Sequence, residues 1–340
     1  MLRRYIIRRS VAALITLFGV SVLIFFLARV MPGDPAMIAL GETATLEQVA
    51  AYRERLGLNE PVLVQYLVYI ESVIHGDLGD SLYTRETVLD DLARTFPATL
   101  ELILFSTVLM ISIGIPLGVL AGRFRDGFID NFTRVFSLIG VVTPSFVWAL
   151  FLLLVFAFHL NVLPTMGRLS EGVEPPAFVT GLYLVDSIVA GDWATFRDAS
   201  AHIVMPGTAL AMASIGQTTR MTRANVGESF DKTYIEFARA YGFNEIRTAA
   251  VYALRPALIP VLTIMGLDIA IKFGSAFLVE TVFSWPGMAR YGVRVILFKD
   301  LNAIVGTVTI IGFFFIVINL IVDIVVSFID PRIRLGAQTQ

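Results

Sequence analysis

Two charged residues, Asp268 and Lys272, stand four apart inside a long apolar run of this 340-residue chain. At that spacing they share one face of a helix. A charge at bilayer depth costs roughly 2.5–3.5 kcal/mol by insertion scales, and the cost falls when opposite charges pair and face protein or water. Two readings stay open: the pair lines a pathway and meets the termini or backbone of a passing solute, or it is a structural ion pair that fixes helix rotation. Asn319 and Asp323 repeat the spacing in a later apolar run, where polar side chains act as packing glue between helices. Glu280 and Trp285 follow the run that holds Asp268. They read as positioning an outer gate, or as an interfacial anchor with Trp285 as a belt aromatic. Covalent chemistry finds no such constellation. The absence of Cys excludes disulfides, thiolate metal sites and cysteine nucleophiles. His75, His159 and His202 lack metal-site spacing, so no metal is expected. No G-x-x-x-x-G-K-[ST] phosphate loop and no G-x-S-x-G nucleophile elbow occurs.

The elements that must position these residues are membrane spans. The chain is 56% hydrophobic and 16% charged, with a mean hydropathy of +0.76, against about 45–50% and about 25% in soluble domains. A net charge of −2 offers no basic field for nucleic acid. Six stretches are long and apolar enough to cross a bilayer: Val11–Val30, Ala98–Ala121, Val135–Leu160, Ile203–Thr219, Ala257–Val279 and Ala303–Phe328. They do not alternate polar with apolar, as barrel strands do, so each is expected to be a helix. The fold class is therefore all-α and polytopic, with about six transmembrane helices. The first run is longer than a signal-peptide core and reads as a retained helix. Pro116, Pro144 and Pro260 in or near the spans, and Pro206 at the start of one, read as simple kinks, with a gating role as the alternative.

Positive charges set the expected orientation. Residues 1–10, 123–134, 220–256 and the tail after Ile329 hold 15 Lys or Arg in about 70 residues, whereas the opposite side holds 9 in about 130. Both termini are expected in the cytoplasm. The chain divides into a cytoplasmic start with the first span (1–30), an external acidic segment (31–97) and a membrane core (98–340). That core carries an external loop 161–202 and a cytoplasmic loop 220–256. Within the external parts, Thr45–Leu56 reads as a helix capped by Thr45, Pro61–Ile74 as a second amphipathic stretch, and Phe178–Val189 as too short to span.

In the cytoplasmic loop, Thr233–Tyr241 reads as a short helix stopped by Gly242. Ile235 and Phe237 are apolar anchors for a groove, and small Ala238 and Ala240 flanking Arg239 permit close approach. A solvated linker helix is an equal reading on physics alone. The stretch Tyr234-Ile-Glu-Phe-Ala-Arg-Ala-Tyr-Gly242 resembles the cytoplasmic loop of permeases of binding-protein-dependent ABC importers, whose pattern is E-A-A-x-x-x-G. Glu236, Ala238 and Gly242 fall on that spacing, with Phe237 replacing the first Ala. Ala253-Leu-Arg255 is similar to the oligopeptide, dipeptide and nickel branch. So are Pro32-Gly-Asp-Pro35, Leu56-Gly-Leu-Asn-Glu-Pro61, Gln65-Tyr66, Gly76-Asp-Leu-Gly79 with Ser81, Val279 to Gly287, Asn319 to Asp323 and Asp330-Pro-Arg-Ile-Arg334. The likeness spans nearly the whole chain.

The resemblance implies the fold of a type I importer permease in a bacterial inner membrane. It implies a second related permease subunit, two cytoplasmic ATPase subunits and an external solute-binding protein as partners, besides the lipid bilayer. No cofactor is bound by this chain; ATP and Mg sit on the ATPases. Residues 234–240 and Gly242 would couple to the ATPases, whose closure switches the path between its two accessibilities. The chain itself would be no enzyme. Peptides, nickel chelates, glutathione and other small solutes are all compatible. The alternative is a secondary transporter or channel using Asp268 and Lys272 as an ion relay. The absence of an internal repeat counts against it.

Overall fold

A computed structural model describes residues 2–30, 37, 45–55, 57 and 59–329. Pro32 to Pro35, Leu56, Leu58 and the tail from Asp330 through Arg334 lie outside the described residues, so the motifs read there are not placed. The helices run in the order α1 (Leu2–Val30), α2 (Leu46–Arg55), α3 (Val62–Ile74), α4 (Val88–Arg123), α5 (Phe128–Val142), α6 (Ser145–His159), α7 (Tyr183–Ala190), α8 (Trp193–Phe230), α9 (Thr233–Ala240), α10 (Glu245–Ser275), α11 (Phe277–Val282), α12 (Met288–Leu297) and α13 (Leu301–Ile329). Among the described residues the one β feature is an isolated bridge between Asp80 and Thr87.

Five helices, α1, α4, α8, α10 and α13, are long and apolar enough to cross a bilayer. The sixth expected span, Val135–Leu160, is not one helix. It is divided between α5 and α6, which meet at a bend of 104°. Pro144 is the cause. A proline disfavours the helical conformation in the residue before it, and Thr143 sits extended at φ −82°, ψ 121°. Reading Pro144 as a simple kink therefore understates its effect. By contrast Pro206, placed at the start of a span by the sequence, lies inside the 38-residue α8, which continues past both ends of the expected Ile203–Thr219.

Two other prolines are absorbed differently. A helical proline clashes with the carbonyl four residues back. For Pro116 and Pro256 those carbonyls belong to Ser112 and Tyr252, and both lie in wider π-type turns, Met110–Gly114 and Thr248–Ala253. The wider turn makes room for the ring and keeps α4 and α10 continuous.

The central helix is α8, which packs against α4, α5, α6, α7 and α10. Its contact with α4 is close because Gly118 has no side chain; a Cβ there would strike Thr222 and stand 2.8 Å from the Thr219 carbonyl oxygen. In the absence of a hydrophobic drive between helices in lipid, such close backbone approach supplies the packing energy. α13 packs on α10, and α1 packs on the outside of α13.

Candidate coupling surface and transport core

At one end of the bundle, α9 is anchored by two side chains. Ile235 is fully buried against Val226, Ala253 and Ala257, and Ala238 is buried one turn on. The opposite face is open: Tyr234, Phe237 and Tyr241 are 42%, 62% and 80% exposed, with Glu236, Arg239 and Ala240 beside them. The expected pairing of Ile235 with Phe237 as outward anchors is thus corrected. At a helical pitch of 3.6, residues two apart point to different faces, and the inward one is Ile235. Ala238 likewise faces the bundle, so it offers no close approach from outside. Gly242 ends the helix at φ +79°, donating to the Arg239 carbonyl at 2.9 Å, while Phe243 N–H reaches the Ala238 carbonyl at 3.2 Å. This is the six-to-one closure that a left-handed residue permits.

Arginines at the end of α4 and in the turn that follows it hold α9 at both ends. Arg125 pairs with Asp231 just before it at 2.9 Å, and Arg123 with Glu245 just after it at 2.8 Å. Arg239 of α9 shares Glu245 at 2.9 Å, and the guanidiniums of Arg123 and Arg239 both lie over the Phe230 ring. Nearby, Asp130 of α5 is fully buried and accepts from Arg223 and Arg134. The sequence reading passed over Asp130, whose signal was an acid at the mouth of an apolar run with arginines on either side.

At the other end, Glu280 and Trp285 are buried within the fold. The Glu280 carboxylate accepts from Thr99 Oγ1 of α4 at 2.6 Å and from the Arg290 N–H in the first turn of α12 at 2.7 Å. Burial pushes its carboxyl up to about 7, against the lowering effect of these hydrogen bonds. Thr99 Oγ1 in turn accepts from Met288 N–H, and Trp285 Nε1 donates to the Ala98 carbonyl at 2.9 Å. With 1% exposure, Trp285 is a core residue and not a belt aromatic.

Beside it lies an ion pair the sequence reading missed. Arg168 Nη2 meets Glu101 Oε2 at 2.5 Å, both side chains being almost fully buried. The guanidinium also donates to the Gly181 carbonyl and stacks 3.5 Å from the Tyr183 ring centroid, and Glu101 accepts from Leu184 N–H. The loop 161–190 is thereby folded down on α4 as a cap. A lone acid three residues inside an expected span was the available signal; its partner lay 67 positions away, beyond any helical spacing.

Asp268 and Lys272 meet each other at 2.9 Å along α10, with Lys272 3% and Asp268 26% exposed at the side chain. Asp323 pairs with Arg9 of α1 at 3.2 Å, whereas Asn319 donates to the Phe315 carbonyl of its own helix and so does not bridge helices. His75 and His202 likewise hydrogen-bond carbonyls one turn back, and among the described residues no group of metal-ligating side chains gathers.

The family model described as binding-protein-dependent transport system inner membrane component matches residues 114–335, and its N-terminal companion matches residues 1–103. The chain belongs to this family. Curated relatives of the permease agree along almost its whole length. It is 38% identical over 318 residues to the probable D,D-dipeptide transport system permease protein DdpB of Escherichia coli (strain K12), covering 94% of each chain. It is 36% identical over 334 residues to the dipeptide transport system permease protein DppB of the same strain, covering 97% of this chain and 98% of that one. The di/tripeptide permease DppB of Pseudomonas aeruginosa is also 36% identical, over 333 residues, with coverage of 97% and 98%. The permease is a multi-pass inner-membrane, pore-forming subunit of an ABC importer with the type I fold. It is a transport component and not an enzyme, and ATP hydrolysis resides in partner subunits.

Proposed function

We propose that this permease carries di- or oligopeptides or related small solutes, and that α9 is the element its ATPase partner grips. The named cargo of its relatives supports the first part. The open aromatic face of α9 supports the second: Tyr234, Phe237 and Tyr241 are held outward by the buried Ile235 and Ala238. A short helix with apolar anchors on one face is built to lie in a groove. The complex has a second related permease subunit, two ATPases loaded with ATP and Mg, and an external solute-binding protein. Residues 220–256 and both termini face the cytoplasm, in keeping with the lysine and arginine asymmetry. ATPase closure draws α9 along, and the helix bundle answers by switching between two packed arrangements.

Co-purification tests this. Detergent-extracted wild-type permease brings down its ATPases, and Phe237→Asp, an exposed substitution, loses them while the permease stays folded. Uptake of a labelled dipeptide by the reconstituted complex is expected to need the binding protein. Full ATPase capture by Phe237→Asp refutes the assigned grip, and dipeptide uptake that needs neither the binding protein nor ATP refutes the assigned mode of transport.

A further inference from the structure

We propose that α3, in the segment expected to be external, is immersed in the outer leaflet of the bilayer, with one face on α1 and α13 and the other against lipid acyl chains. Its sequence, VLVQYLVYIESVI, is aliphatic at eight of thirteen positions, and these side chains need apolar cover beyond the one face that meets α1 and α13. The chain supplies only part of it. None of its thirteen residues is buried, and Leu63, Leu67 and Ile74 are 78%, 66% and 76% exposed.

Depth is fixed by two tyrosines on the inner face. Tyr66 Oη shares a 2.8 Å hydrogen bond with Ser21 of α1, and its ring meets those of Phe18 and Phe25. Tyr69 Oη is 3.1 Å from Thr309 Oγ1 of α13, and its ring lies against Phe25. Ser21 stands nine residues before the end of α1, and Thr309 eight residues after the start of α13. At 1.5 Å per residue, these lie about 14 Å and about 12 Å inward of the outer helix ends. Both contacts therefore fall within a hydrocarbon core about 30 Å thick. A tyrosine hydroxyl at that depth has no water to bond, and each has a hydroxyl partner on a spanning helix. At thirteen residues, about 20 Å, α3 is too short to cross.

Lipid is the occupant because of what surrounds the open face. α1, on which α3 rests, packs chiefly on α13, and its own exposed side chains, Leu14, Ile15, Phe18, Val22 and Leu23, are apolar. The open face of α3 continues that surface. Its one acid, Glu71, is exposed on this face between Leu67 and Ile74, which sets the last turn toward the headgroups.

The absence of native Cys makes the test direct. Single variants Leu63→Cys, Leu67→Cys and Ile74→Cys, with Glu86→Cys in an exposed external turn as reference, are reconstituted in the whole complex and spin-labelled. Collision rates are then read with dissolved oxygen and with a water-soluble nickel chelate. The proposal expects the three α3 labels to favour oxygen and to meet the chelate at least tenfold less often than the label at Glu86→Cys. Chelate collisions equal to that reference overturn it, since α3 then lies in water. Protection from both quenchers overturns it too, because protein and not lipid then covers the face. Each variant changes one exposed side chain, so uptake at the wild-type rate reports an intact complex.

Discussion

Replacing Gly242 by Ala isolates a purely conformational contribution to coupling. Gly242 lies at φ +79°, and nothing stands within 4 Å of the Cβ that alanine would add. No contact is lost or crowded. What changes is that an L-residue must hold a left-handed backbone, which costs about 1–2 kcal/mol. That cost falls on the turn that closes α9, where the Gly242 and Phe243 N–H groups bond the carbonyls of Arg239 and Ala238. If the ATPases bind only the closed turn, it shows as a roughly 5- to 30-fold weaker affinity. Asn, whose short side chain tolerates this region, should recover most of the loss. The assay is titration of purified ATPase subunit onto permease in nanodiscs, with thermal stability of the permease measured alongside. Gly242→Ala is expected to weaken binding by that factor, and Gly242→Asn by much less, with the melting temperature of the bundle unchanged. Equal binding by Ala and wild type, or equal loss by Ala and Asn, refutes the argument, because backbone handedness would then not be the cause.

Glu101→Gln should lower permease stability by about 3–5 kcal/mol, since it leaves the buried Arg168 charge without its partner. The same change made together with Arg168→Met should recover much of the loss in a thermal-shift double-mutant cycle. Glu280 gives a pH signature. Its folded pKa of about 7 stands above the unfolded 4.5, so the folded state binds the extra proton between those values. Stability must therefore fall as pH rises from about 4.5 to 7, by roughly 3 kcal/mol for this fully buried group. Melting curves of wild type against Glu280→Gln should diverge over that window, and parallel curves would show that Glu280 does not titrate there. Lys272→Met is expected to lower uptake while leaving assembly intact if Asp268 and Lys272 line the path. Equal loss of both, read by uptake and by size-exclusion elution, assigns the pair to structure.

Much of the helical layout was legible because lipid allows only closed backbone hydrogen bonding, so an apolar run of sufficient length has one structural outcome. The short helix α9 was legible too, since Gly242 is a local stop signal that needs no tertiary information. The direction of its side chains was not. Ile235 and Phe237 are equally apolar, and only the position of Val226 and Ala257 beneath the helix decides which turns inward. Pro144 shows the same limit, for a proline in a membrane helix either bends it or ends it. Here Thr143 is driven into extended backbone and the span breaks, whereas π-type turns upstream spare Pro116 and Pro256. The buried pair Glu101–Arg168 was not legible because it closes across a loop, outside any helical spacing.

The two ends of the molecule are joined by the same two helices, which gives the coupling argument its mechanical content. α4 carries Thr99 and Glu101 beneath the loop 161–190 and Arg123 beside α9. α10 begins at Glu245, the carboxylate shared by Arg123 and Arg239, and runs for 31 residues to the element that holds Glu280. At 1.5 Å per residue that is about 46 Å of helix between the α9 clamp and the buried Glu280–Thr99 contact. Packed cores shift between discrete arrangements and deform little in between. If α9 is the gripped element proposed above, a displacement of it borne by Glu245 would reach the Glu280–Thr99 contact along a helix that meets α4 at both ends. It must either leave the Glu280–Thr99 and Glu101–Arg168 contacts whole, moving cap and bundle together, or break them as a set.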